Sequence, residues 1–132
     1  EANEVTGRWI THDVTSWQPI DPYDLAVVFY LQLAASERRA ALGVAARSLD
    51  LGGTLLVVAH DLANLTGGVG GPQDPAVLYT ADDVVADLAT SGVGDLEIER
   101  AERVDRPVTA ADGTVATAID CLVRASRPGP RS

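Results

Sequence analysis

The chain reads as an α/β domain in which parallel strands finish in an antiparallel hairpin, and three observations predict it. Two continuous apolar runs, Tyr23–Leu31 and Thr54–Asp61, have the length and β-branched content of strands covered on both faces. Helix-period segments follow each of them. Two alternating segments, Leu96–Val104 and Val115–Ala125, flank the turn dipeptide Asp112-Gly113.

Taken in order, "RWITHD" (Arg8–Asp13) alternates as a first strand with Trp9 on one face, and "VTSWQPIDP" ends it with two prolines. "YDLAVVFYL" (Tyr23–Leu31) is the second strand. A helix follows with Ser36 as its cap, an apolar stripe of Ala35, Leu42, Ala45, Ala46 and Leu49, and Gly52-Gly53 as its stop. "TLLVVAHD" (Thr54–Asp61) is the third strand and runs into a loop holding Gly67, Gly68, Gly70 and Gly71. Thr80 and Asp83 make a capping box for the second helix, whose inner stripe is Val84, Val85 and Leu88 and whose stop is Gly92. The hairpin closes the domain, and residues 128–132 form a tail. In such sheets ligands sit beyond the carboxyl ends of the strands, so Asp13–Trp17, Phe29–Leu33 and His60–Asn64 are expected to converge there, beside the glycine loop.

That loop fails the two familiar phosphate motifs. A P-loop needs Lys after its last glycine, and all ten basic residues here are Arg. Gly68-Val69-Gly70 supplies the first glycines of a dinucleotide fingerprint, but Pro72 and Pro75 hold the chain extended where the helix must open. A mobile loop or a substrate lid is the expectation instead.

Composition narrows the partners. With 132 residues, 46% of them hydrophobic, the chain can build one core. A net charge of −9 argues against a nucleic-acid partner, whose phosphates call for clustered cations. No apolar run is long enough to span a bilayer and no signal peptide precedes the first strand, so no membrane partner and a cytoplasmic location are expected. Cys121 stands alone in an apolar strand and reads as a buried thiol. His12 and His60 lack ligand spacing, so no metal site is expected. The chain holds no Met and begins "EANEVTGRW", from which a preceding segment is expected.

"HDVTSW", "YDLAVVFYLQL", "LDLGGTLLVVAHD", "GGPQDPAVLYTADDVVADL" and "AIDCLVRASRP" occur in an order that resembles the later motifs of class I S-adenosylmethionine-dependent methyltransferases, in particular small bacterial enzymes similar to the tellurite-resistance and thiopurine methyltransferases. The resemblance covers nearly the whole chain. It implies a partial Rossmann-like class I methyltransferase sheet in which residues 1–127 are the C-terminal portion of the domain, without the first two strands and the glycine-rich cofactor loop of that family. The strand at Arg8 is then the family's third.

The resemblance also implies roles. Asp13 and Val14 match the residues that receive the adenine of S-adenosylmethionine, although Asp13 can equally cap its turn through Thr15 and Ser16. Trp17 matches an adenine cover or a core aromatic. Phe29, Tyr30 and Leu31 match the stretch beside the sulfonium. His60 and Asp61 are candidates for a catalytic base or for substrate contacts, with a plain strand-end turn as the alternative. Gln32, Asn64, Gly68 and Gly70 complete a substrate rim for a small-molecule acceptor. The intact parent is expected to carry the activity and the fragment alone to lack it. A strand such as "DLAVVFY" without its family partners is expected to self-associate through its open edge, or to receive the first strand there. Half of a nicotinamide-dependent oxidoreductase and a non-catalytic α/β interaction module remain as other readings.

Overall fold

The structure, a computed structural model, describes residues 6–19 and 21–129. The first five residues, Ile20 and the last part of the expected tail lie outside these. Among the described residues, four strands and three helices follow one another as β1 (Tyr23–Phe29), α1 (Ala35–Arg47), β2 (Leu49–His60), the single-turn α2 (Asn64–Gly67), a 3-10 turn at Pro75–Val77, α3 (Ala81–Ala89), β3 (Glu97–Thr109) and β4 (Val115–Ser126). The sheet order is β1-β2-β4-β3. β1 and β2 are parallel, while β4 is antiparallel to both β2 and β3. This is the expected α/β architecture of parallel strands ending in an antiparallel hairpin.

Alternation along β2 and β4 sends Leu55, Val57, Ala59, Cys121, Val123 and Ala125 to one face, where each is fully buried. Leu42 and Ala46 of α1 and Val84 and Leu88 of α3 cover that face and close one core. The two helices are clasped by a buried ion pair, Arg38 Nε to Asp87 Oδ2 at 2.6 Å, and the Arg38 guanidinium also lies over the Tyr79 ring at 4.9 Å. The capping box of α3 forms as the sequence predicts, with Thr80 accepting from the Asp83 backbone and Asp83 accepting from that of Thr80.

Four expectations are corrected. Arg8–Asp13 is not a strand: the segment is exposed throughout, Trp9 is 94% exposed, and no strand among the described residues lies beside it to complete a ladder. It does not enter the open edge of β1. Ser36 does not cap α1: the helix starts at Ala35, two residues earlier than a Ser36 cap would set, and its N-cap is Ala34, whose side chain offers no acceptor. Gly52-Gly53 does not stop that helix either. The helix ends at Ser48, which donates its Oγ hydrogen to Ala45 O and accepts from Tyr23 N, so the chain turns directly into β2. The two glycines form a bulge inside β2, between the Tyr23↔Leu49 and Leu25↔Thr54 pairs, and a Cβ on Gly53 would meet Tyr23 O at 2.8 Å. Finally, the apolar run at Tyr23–Leu31 is not covered on both faces. Leu25, Val27 and Phe29 of β1 are half exposed or more, because α1 and α3 lie on the opposite face with Ala26 and Val28.

Candidate functional site

The carboxyl ends of β1 and β2 bring four polar side chains together. Tyr30, the residue after β1, has φ = 56°, a left-handed backbone that is uncommon for a residue with a Cβ. Its N–H donates to Val58 O at 2.7 Å, and its hydroxyl donates to Asp120 Oδ2 at 2.7 Å. Burial and this bond to a carboxylate push the phenol above its ordinary range, so it stays protonated. Arg106 of β3 donates to the same carboxylate, Nε to Oδ2 at 2.8 Å and Nη2 to Oδ1 at 3.4 Å, which secures its charge further.

His60 ends β2 directly opposite Asp120 in the β2–β4 register, so both side chains project from the same face. The imidazole lies 4.9 Å from the Tyr30 ring, tilted by 47°. Its Nδ1 stands 3.8 Å from Asp120 Oδ1 and is buried without a hydrogen-bond partner.

The glycine loop covers this group because Asn64 pins it. Buried at the start of α2, Asn64 donates Nδ2 to Gly70 O at 2.8 Å and accepts at Oδ1 from Ile119 N of β4 at 2.8 Å. Glycine is required where the loop closes in. A Cβ on Gly68 would run into Asn64 Oδ1, and one on Gly71, whose φ is +75°, would press on the His60 ring at 3.0 Å. Tyr30, His60, Val69, Gly70, Arg106 and Val108 together line an open cleft of about 540 Å³.

Of the residues singled out from the sequence, Tyr30, His60 and Gly70 line the cleft, while Asn64 and Gly68 shape its loop. Asp61 lies elsewhere. It follows His60 on the chain and points to the other side, where its Oδ1 accepts from Ala63 N at 2.8 Å and sits 3.4 Å from Arg103 Nε. Gln32 spends both ends of its amide on backbone, accepting from His60 N at 2.8 Å and donating to Val77 O at 2.6 Å.

Val14, Trp17, Phe29 and Leu31 line a second, apolar groove of about 450 Å³ that follows the open edge of β1 over α1. Asp13 caps its own turn, Oδ1 accepting from Thr15 N at 2.9 Å and Thr15 Oγ1 at 2.7 Å, which holds its carboxyl below the ordinary carboxylate range. The three converging segments of the sequence therefore serve two places: Asp13–Trp17 borders the groove, whereas Tyr30 and His60 face the cleft.

Sequence reasoning missed Arg106 and Asp120. The available signal was Asp120 itself, a carboxylate flanked by apolar residues in "AIDCLV", which is buried although alternation places it on the face opposite Cys121 and Val123. Among the described residues, no group of three or more His, Cys, Asp or Glu side chains converges as a metal site would require, and no helix is long and apolar enough to cross a membrane.

Neither a family model nor a curated protein matches the sequence. Solved structures do match the fold. The N-methyltransferase NodS from Bradyrhizobium japonicum is 21% identical with a TM-score of 0.60, over 91% of this chain and 59% of that one. An S-adenosylmethionine-dependent methyltransferase from Methanosarcina mazei gives 15% and 0.60, over 90% of this chain and 66% of that one. TehB from Haemophilus influenzae gives 14% and 0.62, over 89% and 40%. The chain thus spans less than two thirds of the length of each of these structures, and over that part it has the fold of S-adenosylmethionine-dependent methyltransferases.

Proposed function

We propose that this chain is the acceptor side of an S-adenosylmethionine-dependent methyltransferase that acts on a small molecule, as the C-terminal portion of the complete catalytic domain. The observation that carries the reading is the cleft at the carboxyl ends of β1 and β2, where Tyr30, His60 and Arg106 gather around Asp120 in a domain whose fold resembles such enzymes. When bound, S-adenosylmethionine supplies a methyl group activated by a sulfonium.

The residues present suit one part of that cofactor. The groove of Val14, Trp17, Phe29 and Leu31 is apolar and fits a flat ring system such as adenine. Asp13 Oδ2, which accepts nothing among the described residues, is free to take an amine hydrogen beside it. Tyr30 and Leu31 complete the path from groove to cleft. In the cleft, His60 is placed to accept a proton from the acceptor, Arg106 presents the guanidinium hydrogens that Asp120 does not use, and the loop of Gly68 and Gly70 limits access of water. Asn64 supports that loop, and Gln32 fixes the end of β2.

Anchors for the methionine and ribose moieties are proposed to come from the remainder of the parent protein, so the chain alone is expected to be inactive. Its open β1 edge is then expected to pair with a second copy. A lone buried cysteine suits a cytoplasmic setting. The antiparallel end of the sheet disfavours the nicotinamide reading, since dinucleotide sheets continue in parallel. Isothermal titration of the parent and of this chain with S-adenosylmethionine, S-adenosylhomocysteine and NADH tests the reading. Binding of the first two to the parent, at least about tenfold weaker to the chain, is the expected result; binding of NADH alone overturns it.

A further inference from the structure

Asp120 is almost wholly buried, and its two oxygens are unequally served. Oδ2 accepts two short bonds, from Tyr30 Oη and Arg106 Nε, whereas the nearest donor to Oδ1 is Arg106 Nη2 at 3.4 Å. A carboxylate oxygen has room for two donors. The atom facing this under-used acceptor is His60 Nδ1, at 3.8 Å, itself buried and without a partner. An orphan ring nitrogen and an under-served oxygen at that separation need a shift of only about 1 Å to bond. No second carboxylate competes, because Asp61 is turned to Ala63 and Arg103.

We propose that Asp120 is a positioning residue for His60. Its carboxylate takes the Nδ1 hydrogen of the neutral imidazole, which leaves Nε2 bare as the ring nitrogen that serves the cleft. The same carboxylate holds the Tyr30 and Arg106 side chains, so a single group on β4 fixes three walls of the cleft that come from β1, β2 and β3. The substrate class follows, on the methyl-transfer reading given above. A bare Nε2 suits an acceptor whose nucleophilic atom carries both a lone pair and a hydrogen, such as a hydroxyl, a thiol or a neutral amine. As that atom gains the methyl group, its hydrogen passes to Nε2, and the positive charge lost from sulfur reappears on an imidazolium beside the Asp120 carboxylate.

Nitrogen-15 NMR of the histidine rings tests the positioning role on the chain itself, without cofactor. Only two histidines are present, and His12→Ala assigns them. Neutral His60 is expected to carry its hydrogen on Nδ1, and Asp120→Asn is expected to lower the ratio of Nδ1–H to Nε2–H forms about tenfold, as loss of a bond to a charged acceptor implies. Tyr30→Phe removes one donor from Asp120 while leaving the carboxylate in place, so it should hold or raise that ratio and decides the matter if Asp120→Asn does not fold. A wild-type His60 protonated on Nε2, an Asp120→Asn ratio within twofold of wild type, or a fall in Tyr30→Phe each overturns the proposal. The methyl-transfer reading fails separately, by absence of S-adenosylmethionine binding to the parent.

Discussion

Strands β1 and β4 lie on either side of β2 in the same sheet and are both rich in Val, Leu and Ala, yet they end in opposite environments. β4 has a strand on each side and helices over one face, and its Cys121, Val123 and Ala125 have no exposure at all. β1 pairs only with β2 among the described residues, and its Leu25, Val27 and Phe29 are 60%, 50% and 54% exposed. Residue type alone does not bury a strand; the neighbours do. The difference also separates two surfaces. The paired side of the sheet carries the polar cluster around Asp120, and the open side carries an apolar groove.

The largest expected effect lies in the energetics of this contrast. Leu55→Ala, at a fully buried site next to β4, should cost about 2–5 kcal/mol, because the removed methyl groups leave a cavity that the core cannot refill. Leu25→Ala on β1 should cost less than about 1 kcal/mol. Urea unfolding of both variants measures the gap, and equal costs would mean that β1 is covered in solution.

How much of this was legible in the sequence follows the same divide. The capping box at Thr80, the hairpin around Asp112-Gly113 and the alternation of β3 and β4 could be read because each is set by neighbours on the chain or by strict alternation. The strand expected at Arg8–Asp13 was misread for the opposite reason. Its alternation is real, but a strand exists only where another supplies its hydrogen bonds, and no local pattern reports that. The same holds for the site. Tyr30 and His60 could be placed at strand ends from order alone. Asp120 and Arg106 enter the cluster through cross-strand register 60 and 14 residues along the chain from His60 and Asp120 respectively, which one-dimensional spacing does not encode.

A middle-sized effect is expected where the glycine loop is tied to β4. Asn64→Ala removes the acceptor for Ile119 N–H and the donor to Gly70 O, so about 1–3 kcal/mol should be lost through unpaired buried groups. Amide exchange sharpens this: residues 67–71 should lose protection while β2 retains it. Loss spread evenly over the sheet would show that the loop and β4 unfold as one unit.

At the open side, Val27→Lys should leave the folding free energy within about 1 kcal/mol but abolish pairing of two copies, since a charge on an edge strand opposes a second sheet. Light scattering after gel filtration is expected to show self-association of the wild-type chain and a monomer for the variant. A wild-type monomer would remove the proposed edge pairing while leaving the cleft untouched.

The smallest effect at neutral pH contrasts two thiols, one on each strand. Burial, and then the nearby Asp61 charge, push the Cys121 thiol from its ordinary 9.0 up to about 12. The folded state therefore holds this proton more tightly than the unfolded chain does. The resulting stability is fully present below the unfolded value, and it is lost as pH climbs from about 9 towards the folded value of about 12. Between pH 6 and 8 this group should leave stability flat, and a thiol reagent should modify Cys121 only as fast as the sheet opens. A cysteine introduced by Val27→Cys on the half-exposed β1 should react without any opening, at a rate close to that of a free thiol. If Cys121 reacts as quickly as the introduced cysteine at pH 8, then β4 is not the protected strand, and the contrast between the paired and open sides of β2 does not hold in solution.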